Sequence, residues 1–344
     1  MGLNVLPCAE PVTRAVEGWE DLTESLPATQ GWMHSGIAVD ATGTIYCAHP
    51  EGYALLEIAP GRSTRIVPVP FPELHGIALS GVDGVLAVAD PGYRMTRLDD
   101  AGHYLEEFTP GHAAFVDVSD GGIVVEFAQP DIDAYRKDVW RPTSITTAVT
   151  AAGEHEVWIA DGYGANLVHR FTGHGTYRGT VDGSESGRVF DCPHGILLRT
   201  VDGDLEVVVA DRSHHRLVRL HLDGTYKGEF GENDLDSPSS LAMLDGHLYV
   251  TELFGGIAEF DASNNFVRTL ETRRGRSTNH PGWPNEVGTD GNTLAAPSLE
   301  PAVFNSPHGL TSHGDHLLMT EWLIGGRLAR IAPNVRLRTT TADR

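Results

Sequence analysis

Six segments of this 344-residue chain follow one plan, and that plan leaves few folds open. Each segment opens with a short apolar run and turns at a Gly or Asp. A second run follows and ends in an acid or its stand-in, and then comes a third. The segments begin at Ser35, His75, Thr143, His194, Ser239 and His308, as in "HGILLRTVDGDLEVVVADRSHHRLVRLHLDG" from His194. A shorter fourth run follows each: "TRIVPV", "HYLEEF", "TYRGTV", "TYKGEF", "NFVRTL" and "VRLRTT".

The runs are short, β-branched and of period two, with turn residues about every ten positions, so they predict antiparallel strands and almost no helix. Four strands per unit in six units predict an all-β chain, a six-bladed β-propeller. The repeat resembles the NHL type. The blades are expected within 31–344, behind an N-terminal leader, 1–30. Two stretches exceed the blade length, 109–140 and 271–304, and both are expected as insertions. The second carries Arg273, Arg274 and Arg276.

The first position of each unit then becomes informative. It is a hydroxyl residue in units one, three and five (Ser35, Thr143, Ser239) and a histidine in units two, four and six (His75, His194, His308). Repetition for structure alone would put the same residue in all six. Alternate blades of a closed ring are related by a pseudo-threefold axis, and first strands line the central channel. Three imidazoles at one height would converge there. Three protein nitrogens with one open position is the pattern of a catalytic Zn²⁺, although imidazole also suits Fe and other first-row transition metals. A lone Pro-His-Gly, by contrast, is ordinary turn punctuation. His214, His215, His313 and His316 read as solvated loop residues.

The ends of the second strands return to the face where the histidines enter, and both insertions are expected on that metal face. Two residues there stand out: Tyr163 after Asp161-Gly162, and Arg212 after Asp211. A phenol beside a cation can act as a general base, and a guanidinium can grip a carboxylate. Each also has a structural reading: a turn tyrosine packed on a neighbour, and an arginine paired with an adjacent blade's acid. The recurring Asp90, Asp161, Asp211, Glu252 and Glu321 read as braces for the loops.

Bulk properties narrow the partners. A formal net charge of −22 disfavours nucleic acid and anionic membrane surfaces. Three cysteines without a CxxC spacing predict neither a disulfide framework nor a zinc ribbon. The first residues lack a basic segment followed by a long apolar one, so a cytoplasmic location is expected. The sequence does not give the oligomeric state.

The histidine trio, "VWIADGYGANLVHRF" and "VVVADRSHHRLVRL" together resemble the peptidyl-α-hydroxyglycine α-amidating lyases. That resemblance implies a six-bladed propeller with zinc on its axis, held by His75, His194 and His308. It implies that Tyr163 is the catalytic tyrosine, with Arg212 in the substrate pocket. It also implies cleavage of the C–N bond of a small α-hydroxy amide bearing a carboxylate. Pro50 stands where the family has an arginine. Gly309 stands where it has an aspartate that helps bind a structural Ca²⁺, so no such calcium site is expected. The alternatives are a metal-dependent lactone or ester hydrolase, and a non-enzymatic protein-binding propeller.

Overall fold

The computed structural model describes residues 18–150, 152–270 and 280–333. The second strand of each unit is an unbroken apolar run because its two faces are both covered by neighbouring blades. In Asp204–Asp211, for example, every residue from Glu206 onward is buried. Hairpin turns far from the histidines are fixed by Asp40, Asp223 and Asp261, whose carboxylates accept the backbone N–H two residues on.

The units form six four-stranded antiparallel blades, as the repeat predicts. Blades one to five occupy 37–68, 76–126, 144–181, 193–230 and 238–270, and blade six contains 307–331. The six first strands touch one another in a closed ring around the axis. Six buried apolar clusters fill the wedges between adjacent blades, one per interface. Among the described residues there is no α-helix, and no helix long and apolar enough to cross a membrane.

Two strand assignments differ from expectation. In blade two, Tyr93–Arg97 and Tyr104–Phe108, expected as third and fourth strands, form a separate hairpin. The true third and fourth strands are His112–Asp117 and Ile123–Glu126. The insertion is therefore this hairpin together with the crossover after Glu126, not the whole of 109–140. Burial explains the swap: Ala113, Ala114, Phe115 and Val116 fit a blade core, whereas the hairpin strands carry no fully buried residue.

In blade six the outer strand is Trp19–Asp21, paired antiparallel with Arg327–Ile331. Part of the expected leader thus closes the ring, and "VRLRTT" lies outside the described residues. Within 280–304 the chain makes a small hairpin, Glu286–Val287 with Leu294–Ala295. The Leu294 N–H donates to Gly102 O at the tip of the blade-two hairpin, so the two insertions meet. Arg273, Arg274 and Arg276 lie outside the described residues.

Trp19 holds the closure. It is buried, packs edge-on against Phe304 at 5.4 Å, and lies under the Arg327 guanidinium at 4.8 Å. Trp19→Ala is expected to destabilise the fold by about 3–5 kcal/mol in urea unfolding. Val82→Ala, at an exposed site, should change it by under ~0.5 kcal/mol. Equal stability of the two variants would show that this strand does not close the ring.

Candidate active site on the propeller axis

The His-Gly dipeptides have a local physical meaning. A Cβ on Gly195 would stand 2.4 Å from Ser239 O, and one on Gly309 would stand 2.6 Å from Ser35 O. Only glycine lets neighbouring first strands come this close, and an aspartate at 309 would not fit without a shift. The close approach brings each histidine within reach of a backbone carbonyl of the next unit around the ring. His75 Nδ1 lies 2.5 Å from Thr143 O, His194 Nδ1 2.8 Å from Ser239 O, and His308 Nδ1 3.1 Å from Ser35 O. A carbonyl can only accept, so each Nδ1 carries the proton and each Nε2 offers a lone pair. The hydroxyl residues of the odd units are thus the partners of the histidines of the even ones.

The rings of His75, His194 and His308 lie beside one another on the axis. Ring centroids are 4.5–5.2 Å apart for the His75–His308, His75–His194 and His194–His308 pairs. His308 Nε2 and His75 Nε2 are 3.2 Å apart. With both Nδ1 atoms protonated, two lone pairs face each other there, which is repulsive unless a proton or a cation lies between. Burial, followed by neighbouring His and Arg side chains, pushes all three imidazoles well below their ordinary pKa, so a proton is disfavoured. Two nitrogens bound at 2.0–2.1 Å to a tetrahedral zinc stand roughly 3.3 Å apart. The His75 and His308 nitrogens therefore fit a divalent cation, and His194 or His34 beside them could complete the set, the nitrogens of His34, His75 and His308 all lying within 4.8 Å of one another.

Tyr163 and Arg212 belong to the same site. Tyr163 Oη lies 3.3 Å from His75 Nε2 and 3.1 Å from His194 Nε2. Burial raises the phenol pKa, and the Arg212 guanidinium, hydrogen-bonded to it, opposes that rise. Arg212 is also held by Ser239 Oγ at 2.7 Å. Among the described residues it has no carboxylate at ion-pair distance, so the structural reading as a charge pair does not apply. The recurring acids do brace loops. Asp161, Asp211, Glu252 and Glu321 each accept backbone N–H groups from the segment entering their own blade's first strand.

Above the histidines is a cleft of about 390 Å³. Tyr93 and Phe108 of the blade-two hairpin, with Trp322, form its apolar walls. Arg141 and Arg212 supply two cations and Glu106 an acid, and Tyr163, His34 and Leu253 line it as well. Arg141 comes from the crossover after blade two. Its Nη1 donates to Pro91 O at 2.6 Å, and it stacks over Phe108 at 4.8 Å.

Arg141 and His34 were not singled out in the sequence. His34 is buried and lies 4.3 Å from His75 and 4.4 Å from His308 between ring centroids. Ring nitrogens of His34, His75 and His308 all lie within 4.8 Å of one another. Burial, helped by Arg212, pushes the His34 imidazole down to about 3. His34 sits one residue before the repeat position, so aligning first positions passes over it. The signal available was its place beside Ser35, in "MHSG".

No protein-family model matches the chain, and no curated protein matches it. Solved structures do match. A streptogramin B lyase is similar at 16% identity and a TM-score of 0.58, over 91% of this chain and 96% of that one. Virginiamycin B lyase from Staphylococcus aureus is similar at 15% identity and a TM-score of 0.52, over 91% and 98%. A catalytically inactive histidine-to-alanine form of that enzyme, with quinupristin, matches at 14% identity and a TM-score of 0.52. These likenesses establish the propeller fold over nearly the whole chain.

The close strand approach has a direct test. Gly195→Ala should cost about 1–3 kcal/mol through overpacking against Ser239. The cost is read as a lower denaturation midpoint with an unchanged m-value. A neutral effect would mean the strand spacing does not depend on this glycine.

Proposed function

We propose that the axial site is that of a lyase that cleaves the C–N bond of a small α-hydroxy amide bearing a carboxylate. The observation that carries this reading is Tyr163, within hydrogen-bond reach of His75 and His194, lining one small cleft with Arg141 and Arg212, neither of which has a carboxylate at ion-pair distance among the described residues. The resemblance to the amidating lyases supports it, and so do the names of the lyases among the structural neighbours.

Arg212 and Arg141 receive the substrate carboxylate. Guanidiniums bind carboxylates through directional, charge-assisted hydrogen bonds, and Ser239 and Pro91 hold these two in place. The aromatic side chains give the cleft apolar walls. A cleft of this size suits a small molecule.

Tyr163 takes the hydroxyl proton of the substrate. The oxygen's electron pair then forms the carbonyl, the C–N bond breaks with its pair going to nitrogen, and Tyr163 returns the proton to that nitrogen. The products are an amide and an α-oxo acid, and no oxidant or water is consumed. A buried phenol is a poor base by itself, and Arg212 alone offsets burial only in part. A divalent cation held by His75, His194 and His308 would supply the further positive charge, acidifying both the hydroxyl and the phenol.

Turnover of N-acyl-α-hydroxyglycines, followed by glyoxylate release, tests the reading. Tyr163→Phe is expected to lower kcat by about 10²–10⁴-fold. Arg212→Ala should raise KM about 10–100-fold, the worth of roughly 1.5–3 kcal/mol for a charged hydrogen bond. Full activity in Tyr163→Phe would sink the mechanism. Turnover of lactones but not of the hydroxyglycines would favour the hydrolase.

A further inference from the structure

We propose that His34 is a fourth protein ligand of the axial centre, oriented by the buried carboxylate of Glu73. The proposal rests on the reading of His75 and His308 as ligands and adds a residue outside the repeat pattern.

Three observations carry it. First, the His34 ring stands against both His75 and His308, and ring nitrogens of the three lie within 4.8 Å of one another. They form a second possible ligand triple that shares two members with the alternate-blade trio. Tyr163 Oη meanwhile stands 3.1 Å from His194 Nε2 and 3.3 Å from His75 Nε2.

Second, His34 is held differently from the trio. His75, His194 and His308 each use a neutral backbone carbonyl. His34 Nδ1 instead lies 2.9 Å from Glu73 Oε1, at ion-pair distance though outside hydrogen-bond geometry. Both side chains are buried, at 7% and 6% exposure, which decides that this is no surface pair. A carboxylate behind a ligating imidazole fixes the ring and raises its basicity.

Third, Glu73 is a buried acid whose second oxygen, Oε2, has no hydrogen-bond partner. No Lys or Arg among the described residues is at ion-pair distance, and the Arg94 charge acts on it from beyond that distance. A buried carboxylate in that state is costly unless a counter-charge is near. A dication among the imidazoles would provide it through His34. His34 also faces the cleft, whereas the trio lines a smaller space on the other side of the cluster. It therefore occupies the side from which substrate arrives.

The test is metal binding by the chelator-treated full chain, independent of turnover. Zn²⁺ affinity is measured by competition with a chromophoric chelator, and Co²⁺ by its visible spectrum. The wild type is expected to bind one equivalent of either. His34→Ala should bind at least ~10-fold more weakly with an altered Co²⁺ spectrum. His34→Gln, which keeps more of the side-chain volume, should do the same. Glu73→Gln should weaken binding about 10–100-fold. Circular dichroism of the metal-free variants checks that each folds. If His75→Ala loses binding while both His34 variants keep wild-type affinity and spectrum, His34 is no ligand and the axial reading stands without it. If the wild type binds neither metal, both readings fall.

Discussion

The hydrogen bond from each axial imidazole to a backbone carbonyl of another first strand is the contact on which the site depends. It settles three things together. It fixes the tautomer, because a carbonyl cannot donate. It aims Nε2 inward, because Nδ1 is taken. It also ties adjacent blades in pairs, since the carbonyls belong to Thr143, Ser239 and Ser35. The bond in turn requires the strand spacing that Gly195 and Gly309 permit. A dipeptide that looks like turn punctuation is therefore a packing device and an imidazole-orienting device in one. The apolar wedges between blades supply the stability that holds this arrangement. The hydrogen-bonded inner ring supplies its geometry.

Asymmetry is laid over this near-symmetric base by segments outside the repeat. The blade-two hairpin brings Tyr93 and Phe108, the crossover behind it brings Arg141, and the start of blade one brings His34. The hairpin tip meets the 280–304 insertion through Leu294 and Gly102. Trp32, Trp322 and Trp283 form a chain of aromatic contacts beneath that junction. A propeller offers six equivalent openings onto its channel, and a selective cleft needs them made unequal. Here the two insertions do that, and they carry few blade-core residues of their own.

What was legible in the sequence follows from what repeats. Six units announce six blades, and a residue type alternating at one register announces a threefold cluster. Both rest on periodicity, which a single sequence displays. Blade two misleads because its inserted hairpin also reads as two short strands, and only burial separates "YRMTR" from "HAAFVD". Trp19–Asp21 is missed because three residues far from their partner strand carry no periodic signal. Its pairing with Arg327–Ile331 is set by ring closure, a property of the whole chain. His34 and Arg141 are missed for a related reason. Each stands outside the register that made His75, His194 and His308 visible, and only the folded chain shows which off-register residues reach the axis.

The charge distribution bears on how such a cleft can take an anion. The chain carries a formal −22, yet the cleft holds Arg141 and Arg212 with no acid paired to either among the described residues. At physiological ionic strength, charges farther than about 8 Å apart in solvent are largely screened. The acidic exterior thus weakly opposes the approach of a small anion. Inside, the two half-buried guanidiniums act at contact distance where screening is slight. A small carboxylate passes that barrier at little cost, whereas a polyanion would meet the whole acidic surface at once. On the proposed function, the same surface that argues against nucleic acid would sharpen selection for a small, singly anionic substrate and leave binding to depend on the short-range geometry of the cleft.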